Sequence, residues 1–572
     1  MMRQSNVRWC VWGLVWAIGC GASPAPKDAT RAEAPGAEAL PAEVTITVLG
    51  TNDLHGHAME ASYFAGFVDR LREVRRGNGA VLIFDGGDLF QGTLESNLAE
   101  GKAIIAAYNA IGYTASTIGN HEFDYGPVGP ATTPRTPADD PRGALKARLA
   151  EARFPFVSAN LVSKVTGHAF DWPNLEPSTT VNAAGVRVGV VGLATADTPR
   201  TTLATNVTDL AVGDAVEATR REAERMRASG ATLVLGVGHM GGKCGENDVA
   251  DDISSCAPGE EAFRLLDALP PGTLDGFIGG HTHQFVAHNV AGVPMIESGA
   301  MGRAFGRIDF RVERATGRIL ERRVFPPQLI CLPDSDPCEP GEYEGATIVP
   351  NASVRAAIAP YLDAAEVKQH EPLGVMVEGT FGQAGDRETA LGNLLADLIL
   401  TARPRADLAV MNGGGIRAPL PEGPLTYGRF FQVFPFDNRF ATLEVSGAEL
   451  EALVLHDLRS GHGIASFAGV SVRAKCNPKG GEPLVEIRRA NGARVRPKDR
   501  LTVVASDFLM TGGDGMFPAR PPVIEDGALM RDELVRVLRE RAGSLRPDDP
   551  VLYDPAHPRF AFPSRPIHCA TP

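Results

Sequence analysis

After residue 19 the 572-residue sequence has no apolar run long enough to span a bilayer, which excludes a transmembrane helix in the main body of the chain. It has no excess of basic residues: 56 Lys and Arg stand against 69 Asp and Glu, a formal charge of -13. A protein that grips nucleic-acid backbones needs a broad basic face, and nothing here supplies one. An anionic substrate would need local cations or metals. The sequence has no CxxC pair and no Cys–His spacing that reads as a zinc finger or ribbon. The second half does not repeat the first, against a duplicated chain. Gly and Pro together make about 19%, below the low-complexity range of roughly 25–30%. What is present is globular: 44% hydrophobic and 22% charged residues, enough for more than one core. A prior of ~150 residues per domain allows about four domains.

The N-terminus reads as an address. Arg3 and Arg8 precede an apolar run from Trp9 to Ile18, too short to span a bilayer, that holds three of the four tryptophans. It ends Ala17-Ile18-Gly19-Cys20, similar to a bacterial lipobox, in which Cys20 would carry the lipid; an ordinary cleaved signal is the rival. Residues 1–19 are thus expected to leave, which takes the formal charge from -13 to -15 because Arg3 and Arg8 are lost with no acid. Residues 20–43 read as a flexible tether rich in small and polar types. Setting aside Cys10 and Cys20, six cysteines remain, an even count that suits an exported chain. Sequence proximity suggests Cys244–Cys256 and Cys331–Cys338, leaving Cys476–Cys569, among 15 pairings that six cysteines allow.

From 44 to 325 one pattern recurs: a short β-branched strand, a polar cluster, then a helical stretch. Strands are expected at Val44–Leu49, Ala80–Phe84, Val186–Val191, Leu233–Val237 and Gly276–Ile278. This is the signature of a layered α/β domain, whose ligands gather at the carboxyl ends of strands. A Cys- and Pro-rich stretch and then a helix over 351–368 form an expected linker at 326–370, with Val354, Ile358, Leu362 and Val367 roughly on one side. A second α/β domain follows over 371–556, with strands at Asp407–Val410 and Leu501–Val504 and a helix near 531–541, and then a tail at 557–572.

The strand ends carry Asp53-Leu54-His55, Asp88, Asn120-His121-Glu122, His239 and His281-Thr282-His283. A lone strand-end His is usually a satisfied polar residue. Five such sets in this order suit two borderline divalent ions held close together, with one shared carboxylate, for which Asp88 is the natural candidate.

In these residues the chain resembles the calcineurin-like metallophosphoesterases, and more closely the bacterial periplasmic and animal cell-surface 5′-nucleotidase family, over roughly 44–555. The resemblance implies an α/β fold with an N-terminal four-layer αββα sandwich and a C-terminal substrate-binding domain, joined by a connector helix around which the domains rotate, with a hinge near 351–370. It implies one metal on Asp53, His55, Asp88 and His283 and a second on Asp88, Asn120, His239 and His281. Zn²⁺ or Mn²⁺ suits these ligands best, with Mg²⁺ or Co²⁺ as alternatives. The implied chemistry is in-line attack on phosphorus by a metal-bridging hydroxide. His121 then protonates the leaving oxygen while Asp124 orients it. The box Gly87-Asp88-Leu89-Phe90-Gln91-Gly92 lacks the superfamily's second Asp, as is usual in the nucleotidase branch.

In the second half, Asn412-Gly413-Gly414-Gly415-Ile416-Arg417, Phe434-Pro435-Phe436-Asp437-Asn438 and the segment Ser506–Gly515 resemble the family's substrate-binding motifs. The resemblance implies a nucleobase sandwiched by Phe436 and Phe508, a ribose held by Asp514, and substrate contacts from Asn412 and Arg417; Arg387 occupies a matching position. The inserts 127–141 and 244–256 are expected to rim the cleft. The sequence thus points to an exported bacterial hydrolase, lipid-anchored on Cys20 at the periplasmic side or cell surface, that removes phosphate from nucleoside 5′-monophosphates. Cyclic 2′,3′-nucleotide phosphodiesterase/3′-nucleotidase and UDP-sugar hydrolase share the same metal centre and stay open, as does a nucleotide-binding surface protein without turnover. No nucleic-acid polymer is expected as partner, the lipid anchor would be the only membrane contact, and nothing in the sequence fixes an oligomeric state.

Overall fold

The computed structural model describes residues 41–129, 131–332, 341–460, 463–478, 481–517, 520–525, 527–567 and 569. The expected leader, Cys10, Cys20 and Cys338 lie outside these residues. No helix among the described residues is long and apolar enough to cross a membrane.

The β-branched runs form strands because alternate side chains can be buried on one sheet face. Val44, Ile46 and Val48 on Glu43–Thr51, with Leu82 and Phe84 on Gly79–Asp85, do so. These strands belong to a seven-stranded sheet that continues through Ala115–Thr117 on one side and through Ala304–Glu313 and Arg318–Leu329 on the other. A six-stranded sheet faces it, built around Val186–Ala194, Leu233–His239 and Gly276–Ile278. Val188, Val190, Leu233, Leu235 and Val237 of this sheet share one core with Ile46, Val48 and Phe84 of the other. Each such side chain, fully buried, contributes about 1.5–3 kcal/mol. Helices Ala58–Arg75 and Lys102–Ile111 cover one outer face and Ala215–Ala228 and Glu261–Ala268 the other. The result is the expected four-layer αββα sandwich. Its central strands run parallel, so their carboxyl ends, and the polar clusters after them, lie along one edge.

The C-terminal half is built on a mixed five-stranded sheet containing Leu408–Met411, Arg500–Ser506 and Phe440–Ser446. Ala409 and Met411 pack on the side of helices Ala390–Ala402 and Met530–Arg541, while Leu408 and Val410 face the side of Gly447–Arg459.

Helix Ala352–Gln369 joins the halves. Asn351 caps it by accepting from the Val354 amide. Val354 and Ile358 sit in the first half's core, and Ala365 in the second's. Val367 departs from the expected buried side: it is 83% exposed. At 3.6 residues per turn it lies about 220° around the axis from Val354, whereas Ala365 lies only about 20° away. Cys244 is bonded to Cys256 and Cys476 to Cys569, the two pairings expected within the described residues.

Candidate functional site

Five of the seven predicted donors follow strand ends in a backbone conformation that side-chain-bearing residues seldom adopt. Asp53 (φ 48°), His55 (48°), Asp88 (58°), His281 (79°) and His283 (58°) are all left-handed. Such conformations cost roughly 1–3 kcal/mol each and persist only where the surroundings impose them. Gly119 is required by close approach: a Cβ there would lie 2.1 Å from Asp88 Oδ1.

These turns converge seven side chains. Asp88 Oδ2 lies 3.2 Å from His239 Nε2 and 4.0 Å from His55 Nε2. Asp53 Oδ1 is 3.5 Å from His283 Nε2, and Asn120 Oδ1 is 2.9 Å from His239 Nε2. Two pairs of imidazole nitrogens face one another, His55 with His283 at 3.1 Å and His281 with His239 at 3.2 Å. The outer nitrogens are already committed: Nδ1 of His55 and of His239 each donate, at 2.8 Å, to the carbonyl oxygens of Gln91 and Gly86. This fixes the ring orientation and turns both Nε2 atoms toward the carboxylates. Beside the cluster, His121 Nδ1 lies 2.6 Å from Asp124 Oδ2, and the His121 amide donates to Asp88 Oδ1 at 2.8 Å.

The carboxylates of the cluster favour positive charge beside them, while its buried, crowded imidazoles His55 and His281 resist it. Burial disfavours a charged His239, yet the Asp88 carboxylate outweighs it and raises the ring to about 10. Burial would raise Asp53, but His283 and His239 bring it down to about 2. His281 falls to about 4 through burial and the neighbouring His239. For His121, burial is outweighed by Asp124 and Asp88, and its affinity for a proton is raised.

Three supporting residues have roles that were not readable from the sequence. Glu122, 1% exposed, accepts from the amides of Asp88 (2.9 Å), Leu89 (2.6 Å) and Gly119 (2.6 Å), tying two donor loops together. Glu297 accepts from Thr282 Oγ1 at 2.6 Å and the Gly242 amide at 2.9 Å, and so holds the His281–His283 turn. Asn52 accepts from the Ser298 amide at 2.8 Å and donates to Asp53 Oδ2 at 2.6 Å. The only signal for Glu122 was its place after Asn120-His121; the other two depend on long-range contacts.

A cavity of about 820 Å³ opens over the cluster. Asp88, Asn120, His121, Asp124, His281 and His283 wall it from one half of the chain, and Asn412, Arg417, Phe436, Phe508 and Asp514 from the other. Arg417 Nη2 reaches to 3.2 Å from His55 Nε2, and the Phe436 and His121 rings lie 5.5 Å apart. Asn412 Nδ2 donates to Asp514 Oδ2 at 2.8 Å. Buried Arg531 supports the Phe436 loop by donating to the carbonyls of Pro435 (2.9 Å) and Phe436 (3.1 Å). Arg387 is not brought in: it is exposed and outside the cavity walls. Its neighbour Glu388 turns inward, accepting from Asn393 Nδ2 at 2.6 Å and the Phe560 amide at 2.6 Å, and this leaves Arg387 toward solvent.

The two inserts also depart from expectation. Among their described residues, neither 127–141 nor 244–256 contributes to the cavity walls. The first is drawn away where Thr132 accepts from Asn206 Nδ2, and the second lies along strand Phe285–Val290. Arg200 and Arg264, which were not foreseen, line the cavity instead.

The calcineurin-like phosphoesterase family model matches residues 46–285, and the model of the 5′-nucleotidase C-terminal domain matches 370–520. The chain belongs to the 5′-nucleotidase family of calcineurin-like phosphoesterases. It is 28% identical over 555 residues to Protein UshA of Escherichia coli (strain K12), covering 89% of this chain and 93% of that one. It is 28% identical over 513 residues to a 5′-nucleotidase of Vibrio vulnificus (strain CMCP6), covering 82% and 85%. The crystal structure of a 5′-nucleotidase precursor from Thermus thermophilus superposes with a TM-score of 0.68 at 22% identity, covering 88% of this chain and 100% of that one. That likeness is one of fold. As a member of this family the protein is a hydrolase of phosphoric esters.

The calcineurin-like fold implies divalent metal ions. The residues present fit them. Donor atoms of Asp53, His55 and His283 lie within 4.8 Å of one another, and so do those of Asp88, His239 and His281. Mixed carboxylate–imidazole sets suit borderline divalent ions, and paired imidazole nitrogens facing each other are satisfied together by a cation.

Proposed function

We propose that this phosphoesterase hydrolyses nucleoside 5′-monophosphates to nucleoside and phosphate. The observation that carries the reading is the shared cavity: the carboxylate–imidazole cluster and the pair Phe436 and Phe508 open into one space. Asp53, His55, Asp88 and His283 would hold one ion, and Asp88, Asn120, His239 and His281 a second, Zn²⁺ or Mn²⁺ by ligand chemistry. Such ions, when bound, polarise phosphoryl oxygens and make a water nucleophilic at neutral pH. The chain's own residues do the rest. His121, its Nδ1 held by Asp124, has Nε2 left to protonate the leaving 5′ oxygen. Arg417 binds phosphate from the facing half, Phe436 and Phe508 stack on the base, and Asp514, oriented by Asn412, accepts from ribose hydroxyls. Two disulfides and the charged-then-apolar N-terminus support an exported enzyme.

The test is phosphate release from AMP by metal-stripped protein resupplied with Zn²⁺, Mn²⁺, Mg²⁺ or Co²⁺, alongside UDP-glucose and 2′,3′-cyclic AMP. Metal-dependent release from AMP is expected. Activity confined to the diester or the sugar nucleotide would reassign the substrate, and none from folded protein holding two ions would reject turnover.

The base clamp has its own check. Phe508→Ala should raise KM for AMP about 10-fold, since stacking on an aromatic ring is worth ~1–3 kcal/mol per base. Hydrolysis of p-nitrophenyl phosphate should be nearly unchanged. Equal losses on both substrates would remove Phe508 from base recognition.

A further inference from the structure

Cys244 and Cys256 lie beside a third donor that their spacing could not show. His288, on strand Phe285–Val290 at the edge of the six-stranded sheet, is 1% exposed, and a ring nitrogen lies within 4.8 Å of both sulfurs. Its Nε2 is 2.8 Å from the Glu246 carbonyl oxygen, so that nitrogen carries the proton and donates it. Nδ1 is buried and has no partner among the described residues. In the neutral form of the ring, Nδ1 therefore keeps its lone pair. Donation of the opposite N–H to a backbone carbonyl is the arrangement in which a histidine ligates metal.

The two cysteines are also held together by more than their S–S bond. They face each other in an antiparallel bridge, flanked by the bonds Ala257 N to Lys243 O at 2.8 Å and Gly245 N to Ser255 O at 3.1 Å. The loop is tied to the edge strand as well. Ala287 N donates to Asn247 Oδ1 at 2.9 Å, Asn289 N to Ala250 O at 2.7 Å, and Asn289 Nδ2 to Asp251 Oδ1 at 2.6 Å. Cleaving the S–S bond would thus leave both thiols beside His288.

We propose that reduction converts this cross-link into a metal site, in which Cys244, Cys256 and His288 bind a thiophilic divalent ion such as Zn²⁺. A dithiol or phosphine reductant supplies two electrons, and the disulfide takes them with two protons to give two thiols. The ion displaces both thiol protons and binds two thiolates and the neutral imidazole, with water in the fourth position. The site is separate from the phosphoesterase centre and does not depend on what that centre hydrolyses.

The experiment titrates Co²⁺ into the full-length protein, oxidised and after phosphine reduction, and reads the near-ultraviolet thiolate-to-cobalt charge-transfer absorption. The carboxylates and imidazoles of the phosphoesterase centre do not give this band. It is expected in reduced protein, absent from oxidised protein, lost on reoxidation, and lost in the double variant Cys244→Ser/Cys256→Ser. His288→Gln, which keeps a donor for the Glu246 carbonyl, should weaken Co²⁺ binding at this band at least ~10-fold. His288→Ala, checked by thermal melting, guards against a folding defect of the first variant. No band on reduction, a band of equal strength in the double serine variant, or unchanged affinity in both His288 variants would each overturn the proposal.

Discussion

Asp88→Asn should lower phosphate release from AMP at least ~10³-fold while leaving the protein folded. The substitution preserves shape and an oxygen for the His121 amide, which Asp88 Oδ1 accepts at 2.8 Å. What it removes is the charge lying between the two donor sets, 3.2 Å from His239 Nε2 and 4.0 Å from His55 Nε2. If Asp88 is the shared ligand, both ions lose a donor with one atom change. Polarisation by bound ions is worth several kcal/mol in the transition state, and each 1.36 kcal/mol is tenfold in rate. Metal content, measured on the same preparation, should fall below that of the unaltered protein. A variant that holds two ions and turns over within tenfold of the parent would show that Asp88 is not shared.

His121→Ala is expected to cost ~10²–10⁴-fold in kcat on AMP. Its imidazole is oriented through Nδ1 by Asp124 at 2.6 Å, and Asp124 is in turn fixed by Thr202 Oγ1 at 2.8 Å. A proton donor matters only when the leaving group needs a proton. p-Nitrophenolate leaves readily without one, so the same variant should lose far less on p-nitrophenyl phosphate. Comparable losses on both substrates would make His121 a structural or substrate-holding residue instead. Because the His121 amide also reaches Asp88, metal content must be shown unchanged in the variant.

The layered α/β character of the first half was legible because its strands are local: Val44–Leu49 or Leu233–Val237 announces itself in six or five residues, and the polar cluster follows at once, whereas the four-layer order came with the family resemblance. The gathering of those clusters was not legible from spacing. Asp88 and His239 are 151 residues apart and meet only because parallel strands put their carboxyl ends on one edge. The recurrence of such sets at strand ends suggested one two-ion site beforehand, and the resemblance to a known family, carried by whole motifs, divided the donors between the two ions. Residues acting through backbone amides escaped: Glu122 looks like any acid until three N–H groups are seen to converge on it. Arg387 stands outside the cavity walls for a related reason, since the inward turn of Glu388 is fixed by Phe560, 172 residues away. Helical phase misled at Val367, because an apolar residue type was weighed above its angle about the axis.

The left-handed backbone at Asp53, His55, Asp88, His281 and His283 sets durability against use. Glycine adopts that conformation freely, so drift to glycine at any of these positions would relax the chain. Each such change would also delete a charged or imidazole side chain from the cluster. Ordinary selection for a sturdier fold therefore presses these five positions toward the one residue that would silence them. Their side chains are kept only by what they do, and a copy of this sequence released from that demand should lose them first.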